Sequence, residues 1–221
     1  MSHGPGDPAT LTIGVYMADA MAAASALAGD TRFSRLILLG HSEGAGHVLQ
    51  AANRGAPADA VIMVSGQGRR LADMLHDQFS LQADSATVVR IDSAFARVLR
   101  GEDPGEVPDI AWPVMNPGSR NFMRSLAAYD PAEEARRFSG RLLIDQGTTD
   151  VQVTMRNAEL IHAARPAATL LRLDGVNHVL RAIESLQLQD QLKTYRDPAL
   201  PLAAPLVPAI VRWIEAAPAT R

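Results

Sequence analysis

Short apolar runs, each closed by a glycine, recur along the chain. They are Arg35-Leu-Ile-Leu-Leu-Gly40, Ala60-Val-Ile-Met-Val-Ser-Gly66, Arg141-Leu-Leu-Ile-Asp-Gln-Gly147 and Thr169-Leu-Leu-Arg-Leu-Asp-Gly175. Inside each run the apolar residues follow one another instead of alternating with polar ones. That pattern predicts strands covered on both faces, as in a parallel sheet. Helical patterns lie between and around them: about Val15 to Ala28, Ser42 to Asn53 with Gly55 as a stop signal, Thr154 to Ala164, and Pro208 to Ala217 with a stripe of Ile210, Trp213 and Ile214. Strands alternating with helices predict an α/β layered fold.

One interval breaks the rhythm. About 67–140 is far longer than an ordinary crossover between strands. Leu71, Met74, Leu75 and Phe79 fall at helical spacing, as do Val88, Ile91, Phe95, Val98 and Leu99. A Pro- and Gly-rich break, Gly101 to Pro117, separates these from a helix holding Phe122, Leu126 and Tyr129. Asp130-Pro131 then reads as an N-cap followed by proline at the first helical position. The expectation is a single domain over 1–221 with a helical cap inserted at about 67–140, placed after a strand's carboxyl end, where open α/β sheets bind ligands.

Composition narrows the chemistry. The chain has no cysteine, so disulfides, thiolate metal sites and a Cys nucleophile are excluded. Its formal charge is −3 with no run of Lys or Arg, which gives no reason to expect a nucleic-acid partner. Leu11 to Gly29 is interrupted by Asp19 and has no basic residue before it that would suit a leader peptide; the expectation is no transmembrane segment and a cytoplasmic location. No His/Asp cluster has ligand spacing, so neither metal nor cofactor is expected.

The sharpest motif is Gly40-His41-Ser42-Glu43-Gly44, a Gly-x-Ser-x-Gly sequence that follows a predicted strand and opens a predicted helix. In so tight a turn the residues two before and two after the serine are expected to be small. The serine is held exposed, and the backbone N–H of Glu43 is aimed where an oxyanion would form. A serine hydroxyl needs a base within hydrogen-bond reach. Asp150, in Gly147-Thr-Thr-Asp150, and His178, in Gly175-Val-Asn-His178, both follow strands and so share a rim with Ser42. The expected assignment is Ser42 as nucleophile, His178 as base and Asp150 as the acid that orients it. Activity is expected to fall as pH drops through roughly 6 to 7, because a protonated imidazole cannot accept the serine proton.

Competing residues fit bland roles better. Asp145 lies inside its strand and reads as structural. Asp174 precedes a glycine and reads as a turn-former. His41 is expected to face away from the position of a base; His47, His76 and His162 sit in helical patterns. Ser65 ends a strand without an elbow around it.

With Asp150-Val-Gln-Val153, Asn177-His-Val-Leu180 and Thr194-Tyr-Arg-Asp-Pro-Ala-Leu-Pro-Leu202 beside the elbow, the chain resembles the α/β-hydrolase superfamily, in its bacterial esterase-like and serine-aminopeptidase-like branch. The likeness runs from about Tyr16 onward. It implies the α/β-hydrolase fold, a mostly parallel sheet with helices on both faces, and a cofactor-free acyl hydrolase acting on a small-molecule ester. An aminopeptidase-type peptidase is the alternative, with Glu102, Asp103, Glu106 and Asp109 as candidates for holding an amino terminus; a non-catalytic remnant is another. The chain also departs from the superfamily. Only 41 residues precede Ser42, whereas the family places several strands there and a His-Gly-type loop that supplies a second oxyanion N–H. His3-Gly4 lies too near the elbow for that loop. The expectation is an N-terminally truncated fold with its early strands missing. Leu36 to Leu39 would then lie on an open sheet edge, through which the chain would self-associate.

Overall fold

A computed structural model describes residues 7–216. His3-Gly4 lies outside them. The elements in chain order are α1 (Ile13–Ala28), β1 (Ile37–His41), α2 (Glu43–Asn53), β2 (Ala60–Val64), α3 (Leu71–Ser80), α4 (Ser85–Leu99), α5 (Trp112–Met115), α6 (Arg120–Ala127), α7 (Pro131–Arg137), β3 (Arg141–Gly147), α8 (Met155–Ala164), β4 (Thr169–Leu173), α9 (Leu188–Arg196) and α10 (Leu206–Glu215). Backbone contacts divide the chain into two compact units. One comprises the described part of Met1–Asp19 with Arg69–Asp130, the other Ala20–Gly68 with the described part of Pro131–Arg221.

The second unit contains the sheet. Its four strands run parallel in the order β1-β2-β3-β4, with Leu39 level with Ile62 and Ile62 level with Leu143. Continuous apolar runs become strands here because both faces are covered. Val61, Met63, Leu142 and Ile144 pack with Ala45 and Leu49 of α2, Ala135 of α7, and Ala158 and Ile161 of α8. The alternate residues Ile62, Val64 and Leu143 pack with Ile210, Trp213 and Ile214 of α10. Successive strand residues therefore serve opposite layers. Each fully buried Leu or Ile contributes about 1.5–3 kcal/mol relative to exposure. On the edge strand β1, Leu39 remains half exposed.

The first unit is helical. Leu75 and Phe79 of α3, Ile91, Phe95 and Val98 of α4, and Met123 and Leu126 of α6 meet in one core, joined by Ile13 and Tyr129. The helical spacing read from the sequence gathers these residues. Asp84 caps α4 by accepting from the Thr87 N–H at 2.8 Å.

Two expectations need adjustment. Within the predicted Gly101–Pro117 break, a short helix, α5, forms over Trp112–Met115. Helix α9 lies where the sequence pattern predicts no element: its buried residues are Gln191 and Thr194, so apolar periodicity gives no sign of it.

Candidate active site

Ser42 stands between β1 and α2 with φ 56° and ψ −124°, a conformation that L residues avoid. Its N–H donates to the Val64 carbonyl at 2.8 Å, so the strained residue is anchored to the sheet. The closeness of the turn falls on one glycine. A Cβ at Gly40 would lie 2.2 Å from the Gly44 carbonyl oxygen, whereas a Cβ at Gly44 would meet nothing within 4 Å. The expectation that both flanking positions must be small therefore holds for Gly40 and not for Gly44. Helix α2 begins at Glu43, whose N–H belongs to the first turn, where no intrahelical carbonyl is in reach. That end of the helix also carries the positive end of its dipole.

Asp150 follows β3 and is 3% exposed. Its Oδ1 accepts from the N–H groups of Gln152 at 2.9 Å and Val153 at 2.8 Å. Its Oδ2 accepts from Gln146 Nε2 at 3.1 Å and lies 2.8 Å from His178 Nδ1. An ionised carboxylate only accepts, so the imidazole hydrogen sits on Nδ1. Nε2 is then free to accept from the Ser42 hydroxyl, 3.0 Å away. The residues the sequence singled out, Ser42, Asp150 and His178, thus lie in one hydrogen-bonded line.

His178 follows β4, and its loop is folded back toward Asp150. Gly147 permits this: a Cβ there would lie 2.0 Å from the Val176 carbonyl oxygen, which accepts from the Thr149 N–H at 3.2 Å. Gly175 takes φ 64°, the left-handed turn that glycine adopts without cost. Asn177 is buried and donates through Nδ2 to Thr194 Oγ1 at 2.7 Å, tying the loop to α9.

Two residues contribute that sequence reasoning missed. Gln146, buried in β3, donates to Asp150 and, at 2.7 Å, to the Val153 carbonyl; a polar residue inside an apolar run was the available signal. His41 donates through its Nε2–H to the main-chain carbonyl of His178 at 2.8 Å.

The other candidates fall elsewhere. His76 pairs with Asp92 at 2.7 Å on the surface, and His47 meets Glu43 Oε1 at 2.9 Å. Ser65 also has a positive φ, 49°, yet its buried hydroxyl has no hydrogen-bond partner among the described residues. Asp145 is 1% exposed with neither carboxylate oxygen partnered among them, and burial pushes its pKa up to about 7. Tyr195 donates to Gln152 Oε1 at 3.0 Å; burial, and then the charge of Asp150, push its phenol up to about 12. Among the described residues, no group of three or more His, Asp or Glu side chains could hold a metal, and no helix is long and apolar enough to cross a membrane.

No family model matches the chain. A curated relative, the esterase EstD of Thermotoga maritima, is 28% identical over 178 residues, which are 79% of this chain and 42% of that protein. The chain therefore spans less than half the length of the relative it matches. Among solved structures, a bromoperoxidase from Bacillus anthracis superposes with a TM-score of 0.51 at 15% identity, covering 88% of this chain and 76% of that one. An α/β-hydrolase enzyme from a lagoon-sediment metagenome gives 0.51 at 15% identity, covering 84% and 69%. A monoacylglycerol lipase from Paleococcus ferrophilus gives 0.50 at 16% identity, covering 83% and 74%.

Proposed function

The chain has the α/β-hydrolase fold, and from that premise we propose that it is a serine hydrolase that cleaves carboxylic esters through an acyl-enzyme. The observation that carries this reading is the line from Ser42 Oγ to His178 Nε2 at 3.0 Å and from His178 Nδ1 to Asp150 Oδ2 at 2.8 Å. The likeness to EstD supports the choice of ester. Ser42 Oγ attacks the ester carbonyl carbon while His178 Nε2 takes its proton, and Asp150 stabilises the imidazolium. The carbonyl oxygen becomes an oxyanion at the Glu43 N–H and the start of α2. Collapse breaks the bond to the alcohol, which leaves with the proton from His178. Water then attacks the acyl-serine by the same route in reverse and releases the acid.

Three of the four acidic candidates for holding an amino terminus are already engaged, Asp109 being the fourth. Glu102 accepts from Arg100 at 2.7 and 2.9 Å, Glu106 from Arg90 at 2.6 Å, and Asp103 from the Gly105 N–H at 2.9 Å. This favours an ester over a substrate with a free amino terminus. The segment at about 67–140 leaves the sheet from the same end of β2 that Ser42 occupies on β1, and we read it as the cap insertion. The open edge of β1 is assigned to pairing with a second copy of the chain.

The test is turnover of a p-nitrophenyl ester against an aminoacyl amide, together with labelling by a fluorophosphonate. Ester turnover and a label that disappears in Ser42→Ala are expected. Amide preference would favour the peptidase, and neither turnover nor labelling would favour a non-catalytic chain.

A further inference from the structure

The nucleophile and the base come from opposite edges of the sheet. Ser42 follows β1 and His178 follows β4, three strand spacings apart, roughly 14 Å. The loop after β4 must bring the imidazole back across that distance and hold it to a fraction of an ångström. Its ties to α9 through Asn177 and to Asp150 through the ring secure it on the far side. On the near side His41 is the last residue of β1, adjacent to Ser42, and its Nε2–H donates to the His178 carbonyl at 2.8 Å. The two rings lie 5.0 Å apart, centre to centre, tilted by 40°. The donor is therefore mounted on the same strand end that carries the nucleophile.

Resting on the serine-hydrolase reading, we propose that His41 is a positioning residue: it moors the backbone of the base to the elbow strand and so sets the distance between His178 Nε2 and Ser42 Oγ. The titratable groups whose charge acts on its ring are His178 and Asp150. Burial lowers the pKa of His41, the hydrogen bond to the His178 carbonyl raises it, the charge of His178 lowers it and that of Asp150 raises it. The net lowering favours the neutral ring beside the imidazolium that forms on His178 during attack.

Three variants separate the mooring from mere packing. Glutamine can place an amide N–H close to where Nε2–H lies; phenylalanine keeps the ring without the donor; alanine keeps neither. His41→Gln is expected to retain kcat within a few-fold. His41→Phe and His41→Ala are expected to lose kcat by about a hundredfold with KM little changed, since a misplacement near 1 Å costs that much. The second readout needs no turnover: the proton NMR resonance of the His178 Nδ1–H shared with Asp150 should stay sharp in the wild type and in His41→Gln, and broaden or vanish in His41→Phe. Wild-type kcat and a sharp resonance in His41→Phe would overturn the proposal. If the wild type is not labelled at Ser42, the hydrolase reading fails first, and the resonance alone still decides whether His41 holds His178.

Discussion

His178 meets Ser42 through one nitrogen and Asp150 through the other, so each substitution there has a separate consequence. His178→Ala removes the proton acceptor and is expected to lower kcat by on the order of a thousandfold or more. Asp150→Asn keeps the shape but can present an amide N–H to Nδ1, which favours the wrong tautomer; a large but smaller loss is expected. Single-turnover acylation rates measure both, and full activity in His178→Ala would remove it as the base. The elbow offers a second contrast. Gly40→Ala would drive a Cβ to 2.2 Å from the Gly44 carbonyl oxygen, while Gly44→Ala meets open space on a helix. Gly40→Ala should be several degrees or more less stable in a melting scan, and Gly44→Ala should melt within a few degrees of the wild type. Equal melting of the two would mean the turn is looser than its geometry.

At the scale of elements, the edge of β1 is the feature with a consequence for assembly. Leu36 donates to Asp59 Oδ2 at 2.7 Å and accepts from the Asp59 N–H at 2.8 Å, and the Ser42 N–H donates to Val64. Alternation along the strand then turns the N–H and C=O groups of Ile37, Leu39 and His41 away from β2, toward a side with no strand among the described residues. The strand carries no Lys, Asp, Glu or Pro to guard that edge. Antiparallel pairing of two copies about Leu39 would set Leu39 against Leu39 and Ile37 against His41, with no like charges opposed. In size-exclusion chromatography at tens of micromolar the chain is therefore expected to run as a dimer or larger. Leu39→Lys, at a half-exposed position, should shift it toward monomer without loss of the fold. A monomeric wild type would dismiss this edge as an interface.

For the molecule's stability, the costly group is Asp145. In the unfolded chain its carboxyl titrates near 3.8, and in the fold burial raises it to about 7. Between those values the folded state holds a proton that the unfolded state has released, so stability falls as pH rises. The loss begins near pH 4, is complete above about pH 7, and amounts to roughly 4 kcal/mol at 1.36 kcal/mol per pH unit. Asp145→Asn cannot ionise and is expected to be the more stable form at pH 8, with little difference at pH 4. Urea unfolding at both pH values checks this. A wild type as stable as Asp145→Asn at pH 8 would mean that the carboxylate finds a partner.

Much of this was legible in the chain. Continuous apolar runs and their closing glycines mark the four strands because burial on both faces is a local demand on composition. The elbow is legible because its strain is confined to five residues, and Asp150 and His178 because each follows a strand on the same rim. Helix α9 was illegible since it buries Gln191 and Thr194 while Leu192 stays 40% exposed. Strand order, the mooring of His178 by His41 and the support of Asp150 by Gln146 needed the tertiary structure. His41 and His178 are 137 residues apart, and the energy of a hydrogen bond depends on where folding puts its donor and acceptor, which no local pattern records. The same holds for Asp145: its sequence position says only that it lies in a strand, and its unpartnered burial is decided by the layers that close over it.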